Sequence, residues 1–214
     1  MITERAAKYL STLAREPALR DRIALENAFH AAGVPPLNAI IDFQMTFGGY
    51  VQHHGLNTFV LGIIHERPDP DSFFERNRLT IESDDEEPGN YFITCANCHA
   101  SDHWFLDAKG QLYWCFSPPL ASSFAIKIER DAVQWELRQH QLQRLVPSVS
   151  DSEFIAMLVP LIEQGRIEEA SDQYESLFLH RGVYAAVSGN HVKAFLVEDA
   201  GRSLLTGLPV TIDS

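Results

Sequence analysis

Short runs of β-branched and aromatic residues between Tyr50 and about Ile128, enclosed by segments of helical spacing, restrict the possible fold more than any other feature of this chain. "NTFVLGII", "YFITC", "HWFL", "QLYWCF" and "SFAIKI" read as strands separated by turn chemistry. Upstream, residues 3–32 carry apolar residues at helical spacing, interrupted around Pro17 and ended by Gly33. "GVPPL" is a turn, because two prolines and a glycine cannot continue a helix, and "NAIIDFQMTFGGY" predicts a short helix stopped at Gly48-Gly49. Downstream, helical spacing returns over Asp131–Leu145, and Ser150 with Glu153 forms a capping box before the apolar run Phe154–Leu158. Pro160 is expected to bend or divide that helix, Gly165 to end it, and "RIEEASDQYESLFLH" to form a second amphipathic helix before a small terminal hairpin. Helices, sheet, helices and small sheet in that order predict an α+β fold rather than alternating βαβ units. The expectation is a mostly antiparallel sheet flanked by helices over residues 1–148, with a C-terminal helix pair and small β-hairpin over 149–214 packed on it or forming a subdomain.

Charge narrows the choice of partner. Twenty-nine acidic against seventeen basic residues leave a net charge of −12, a field that repels nucleic acid and anionic membrane and draws a basic protein. The first residues lack the apolar core of a secretion signal, and no apolar run approaches the roughly 18 residues of a membrane span. The expected compartment is the cytoplasm, where three cysteines stay thiols.

Those cysteines raise a question of chemistry, because "CANCH", Cys95 to His99, has the spacing of a haem attachment site, a redox dithiol and half a zinc knuckle. Haem attachment belongs outside the cytosol, and a redox dithiol needs a helix start or a basic setting that "HASDHWF" does not supply. Zinc could take Cys95, Cys98, Cys115 and either His99 or His103 as a closed tetrahedral set. The register of the hairpin around "DAKG", Asp107–Gly110, bears on this. Pairing Leu106 with Gln111 sends His103 and Cys115 to opposite faces, whereas pairing Asp107 with Gln111 places them together. The plainer reading treats the cysteines as small buried hydrophobes, with no metal and no cofactor.

Other catalytic patterns are missing: the chain has no G-x-S-x-G, Walker A, G-x-G-x-x-G or H-E-x-x-H segment. His53 and His54 are adjacent and in a strand would face opposite ways, and Asp69-Pro70-Asp71 reads as a turn. No enzyme is expected.

In its order of elements the chain resembles the SUKH superfamily. The likeness rests on "GVPPLNAIIDFQMTFGGYV", Gly33–Val51, a turn and short helix closing on Phe47-Gly48-Gly49. It rests also on "SDHWFLDAKGQLYWCF", Ser101–Phe116, a hairpin with Asp107 and Gly110 in its turn, and on the helix that follows. It covers about residues 24 to 143 and leaves 150–214 and "TCANCHA" outside the family pattern. The resemblance implies an antiparallel sheet flanked by helices and a non-enzymatic task, in many bacterial members the neutralisation of a secreted toxin by direct binding. The expected partner is then a basic toxin or effector domain, met through the densest acidic stretch: Glu82, Asp84, Asp85, Glu86 and Glu87. Trp104, Trp114 and Trp135 are further candidates for interface anchors, with core packing the competing role for the two in the hairpin. The alternatives are a small zinc-stabilised or thiol-dependent enzyme using Cys95, Cys98 and Cys115, and a regulatory interaction module with no toxin partner.

Overall fold

A computed structural model describes residues 2–54, 57–64, 79–83, 91–98, 104–115 and 118–213. The fold is α+β with two antiparallel sheets. The chain divides into two compact units: residues 10–124, and residues 1–9 together with 125–214. The division thus falls at the start of a helix near residue 124, whereas the sequence places it at 148/149, between two elements of the second unit.

The unit of residues 10–124 contains helices α2 (Arg22–Ala31) and α3 (Asn38–Phe47). Asp21 caps α2 by accepting a hydrogen bond from the Ala24 N–H at 3.0 Å. The sheet has β1 (Val51–His54), β2 (Asn57–Leu61), β3 (Ile81–Ser83), β4 (Tyr91–Cys98), β5 (Trp104–Asp107) and β6 (Leu112–Trp114). Its order is β1-β2-β4-β5-β6, with β3 beside the first half of β4 and β2 beside the second half. Phe124 ties α3 to the sheet: its ring lies 4.6 Å from Phe43, 5.4 Å from Phe47 and 6.2 Å from Trp104.

The Gly48-Gly49 stop is a close approach of backbones. Gly49 has φ +87°, its N–H donates to Leu61 O, and its carbonyl accepts from Glu16 N–H, both at 2.7 Å. A Cβ there would stand 2.2 Å from Glu16 O, so only glycine fits. Beside it, Arg15 donates to the carbonyls of Gly48 and Thr46 and lays its guanidinium 4.2 Å from the Tyr50 ring centroid.

The second unit is built on β7 (Gln143–Pro147), β8 (Ser176–His180), β9 (Val183–Ser188), β10 (His191–Leu196) and β11 (Val210–Asp213), in the order β11-β7-β10-β9-β8. Strand alternation sends its side chains to two cores. Phe178, Val183, Ala185, Ala194 and Leu196 pack with Phe154, Leu158 and Ile162 of α5 (Asp151–Ile162). Leu177 and Tyr184 pack on the other face with Val133 and Leu137 of α4 (Phe124–Leu137). The first turns of α1 (Glu4–Ser11) belong to this unit: Arg5 pairs with Glu136 and Glu169, each at 2.9 Å.

Three expectations are corrected here. "SFAIKI" is not a strand but the start of α4, because Phe124, Ile128 and Ala132 are buried at four-residue spacing and Lys127 pairs with Asp131 one turn on. That helix stops at Leu137, and the end of the expected 131–145 helix is β7. The segment 166–180 is one short 3-10 turn, Glu168–Ala170, and strand β8 rather than a helix. There Asp172 Oδ1 accepts from the N–H groups of Tyr174 and Glu175, a side-chain turn that competes with helix, and Leu177 and Phe178 then go to opposite faces. The terminal strands are correspondingly part of a five-stranded sheet. Ser150 does cap α5, accepting from Glu153 N–H at 3.3 Å, and the helix runs through Pro160 to Ile162.

Candidate binding face

Hairpin β5–β6 adopts the tighter of the two registers. Leu106 lies opposite Leu112, and Asp107 N–H donates to Gln111 O at 3.1 Å, leaving a three-residue loop with Gly110 at φ +85°. Asp107 is buried and organises this turn. Its Oδ1 accepts from the N–H groups of Lys109 and Gln111, both at 2.9 Å, and its Oδ2 from the Tyr113 hydroxyl at 3.3 Å.

Cross-strand partners share a face of a sheet. Glu82 of β3 is opposite Phe92 of β4, Phe92 is opposite Asp107, and Tyr113 is opposite Phe105. Glu82, Phe92, Asp107 and Tyr113 therefore line one face. Glu82 is exposed, and the half-buried rings of Phe92 and Tyr113 meet edge-on at 5.2 Å. An acidic edge strand and an aromatic pair thus lie side by side. Neither ring was singled out in the sequence, because only the register reveals that they meet. Of the expected acidic patch, Glu82 has this place, while Asp84, Asp85, Glu86 and Glu87 lie outside the described residues.

The tryptophans divide. Trp104 is buried and stacks on Phe59 at 4.5 Å, whereas Trp114 opposite it is 48% exposed on the edge strand β6, on the other face from Glu82. Trp135 lies half-buried on α4 with Tyr9 at 6.3 Å and the Lys8 ammonium 5.7 Å from its ring centroid.

The "CANCH" cysteines lie along a strand. Both Cys95 and Cys98 belong to β4, with Cys98 paired to Phe59 and a bulge between Thr94 and Ala96. Three residues of extended chain separate Cα atoms by roughly 10 Å. That exceeds the span of a disulfide, and a zinc knuckle needs a chain that folds back to bring two thiolates to one ion. Cys95 is fully buried, and its carbonyl accepts from Gly62 N–H at 2.8 Å. Cys115 follows the end of β6 at φ +49°. His99 and His103 lie outside the described residues, as do Asp69 and Asp71. Among the described residues, no group of three His, Cys, Asp or Glu side chains is placed to hold a metal ion. Metal analysis of the purified protein is expected to give well under one zinc per chain. A stoichiometric zinc held through both Cys95 and Cys98 would mean that residues 95–98 leave the strand.

His53, in β1, has Nδ1 3.0 Å from Thr58 Oγ1, a cross-strand contact within the hairpin β1–β2. Among the described residues, no helix is long and apolar enough to cross a membrane. Compared with protein-family models, characterised proteins and solved structures, the chain matches none.

Proposed function

We propose that this chain is a non-catalytic inhibitor that binds a basic toxin or effector domain in the cytoplasm and neutralises it by covering its functional surface. The observation that carries this reading is the face shared by Glu82, Phe92 and Tyr113, with acid and aromatic side chains adjacent. Aromatic residues anchor protein interfaces, and charge complementarity raises the rate of encounter. The distribution of charge supports the same reading: residues 65–103 contain ten acidic and three basic side chains, so the negative excess is concentrated in the segment that includes β3. A SUKH-like order of elements accords with it.

The test is co-expression with the protein encoded next to it, scored by growth and by a one-to-one complex. Glu82→Lys combined with Asp85→Lys should weaken that complex by about tenfold at low salt and by less at high salt, as screening predicts. Phe92→Ala should weaken it by a similar factor with little dependence on salt. Full affinity in both variants would remove this face from the interface. Absence of any complex and of any toxicity would remove the inhibitor reading itself.

A further inference from the structure

In the unit built on β7–β11, the sheet face toward α4 holds a groove of about 270 Å³. Its floor comes from register: Phe195 is opposite Tyr184 and Lys193 opposite Ala186, so all four side chains share this face. The Tyr184 and Phe195 rings stack 6.3 Å apart at 27°. Leu137, Leu142, Gln134 and Arg138 line it on the helix side, and Glu175 also lines it.

The groove carries two exposed cations, Lys193 and Arg138, and a partly buried carboxylate, Glu175. Among the described residues, neither Lys193 nor the Arg138 guanidinium is in an ion pair, although acidic residues outnumber basic ones 29 to 17. Beside Glu175, Arg130 Nη2 makes its shorter contact with Asp172 at 2.6 Å, and Arg130 Nε lies 3.2 Å from Glu175 Oε2. Asp172 thus makes the shorter contact with Arg130 and Glu175 the longer one. Burial pushes the Glu175 carboxyl up, against the pull of Arg130 and Lys193, and burial also pushes up the Tyr184 phenol, which stays neutral.

We propose that this groove binds a free α-amino acid with an apolar side chain. Its carboxylate meets Lys193 and Arg138, its ammonium meets Glu175 beside the Tyr184 hydroxyl, and its side chain covers Phe195 and Leu142. A simple carboxylate would leave Glu175 to Arg130 and Lys193, and a simple amine would leave the two exposed cations to water; a zwitterion engages both signs of charge in the groove. The volume falls just under the span of about 300–1,000 Å³ usual for drug-sized ligands, which suits one small molecule. A larger groove of about 410 Å³ lies elsewhere on α4, but its cations are already engaged, Arg5 with Glu136 and Glu169 and Lys8 over Trp135. This inference is independent of the inhibitor reading, since it rests on different residues.

Isothermal titration of the full chain with L-leucine and L-phenylalanine should give saturable one-to-one binding. N-acetyl-L-leucine, which lacks the ammonium, and L-leucinamide, which lacks the carboxylate, should each bind the unaltered protein at least about tenfold more weakly. Lys193→Met and Glu175→Gln should each weaken leucine by about tenfold while the circular dichroism spectrum is retained. Absence of saturation by about 10 mM with either amino acid overturns the proposal. So does equal binding of the N-acetylated or amidated ligand, or full affinity in both variants. Should either variant fail to fold, the two blocked ligands on the unaltered protein decide the matter alone.

Discussion

Gln44→Leu is expected to destabilise the protein by roughly 3 kcal/mol or more, and to lower the unfolding midpoint by roughly 10 °C. The side chain projects from α3, is fully buried, and is bonded at both ends. Its Nε2 donates to Leu19 O at 2.9 Å and Ile64 O at 3.3 Å, while its Oε1 accepts from Ile63 N–H at 2.7 Å. Ile63 and Ile64 are themselves buried, so water cannot easily replace the lost partner. Leucine matches the volume and removes every bond, leaving two carbonyls and one N–H of the backbone without their amide. Gln44→Glu separates polarity from shape. An ionised carboxylate can still accept from Ile63, but its second oxygen then faces two carbonyls. The neutral acid, which can donate, is favoured in the folded state, so the glutamate's pKa is raised there. Its stability is accordingly retained below the ordinary carboxylate pKa and lost as pH rises through the folded value. Thermal melts of both variants between about pH 4 and pH 8 check this. A pH-independent loss in Gln44→Glu equal to that of Gln44→Leu would show that the amide's hydrogen bonds are not what matters.

Local chemistry made much of the architecture legible. The α3 stop at Gly48-Gly49, the turn at Asp107–Gly110 and the Ser150 cap all act within a few residues, so sequence spacing suffices to find them. Two kinds of information were not local. "SFAIKI" has strand composition, yet the burial of Phe124, Ile128 and Ala132 follows helical spacing once the next turn is included. In 166–180 the apolar spacing suits a helix, yet the Asp172 turn and the separate cores claiming Leu177 and Phe178 give a strand. The site shows the same limit. Glu82 was visible as charge, whereas its neighbours Phe92 and Tyr113 became neighbours only through the pairing of β3, β4, β5 and β6. Likewise Arg130, Glu175, Tyr184 and Lys193 come from four separate elements, α4, the turn before β8, β9 and β10, and no motif connects them. The cysteine motif shows the converse case, since its spacing invites a metal while the backbone over Cys95–Cys98 is extended.

Arg130→Met should cost about 3–5 kcal/mol, the typical effect of removing one partner from a buried ion pair. Arg130 is buried on α4; its Nε donates to Ala170 O at 3.0 Å and its Nη2 to Asp172 Oδ1 and Glu175 O. Methionine keeps most of the packing and removes the cation that pairs with both the Asp172 and the Glu175 carboxylates. Their folded-state pKa values then rise, so the variant's deficit should be largest near neutrality and narrow as pH falls toward about 4. Glu175→Gln should behave in the opposite sense. Burial already raises the Glu175 carboxyl in the unaltered protein, so stability linked to its neutral form is full below the unfolded carboxylate pKa and lost as pH rises through the folded one. At neutral pH the amide removes a destabilising charge while Asp172 continues to hold Arg130, and the melting temperature should match or exceed that of the unaltered protein. Adding Asp172→Asn and Glu175→Gln to Arg130→Met should recover most of the lost stability, since no buried charge is then left unpaired. Melts of the single and triple variants across that pH range distinguish this from simple loss of packing, which would be the same at every pH and would not be repaired by the two amides. A carboxylate that burial pushes up, lining one groove with the cations Lys193 and Arg138, is the arrangement the amino-acid site calls for, and a melting temperature of Glu175→Gln well below that of the unaltered protein would instead make the carboxylate part of the structural cluster.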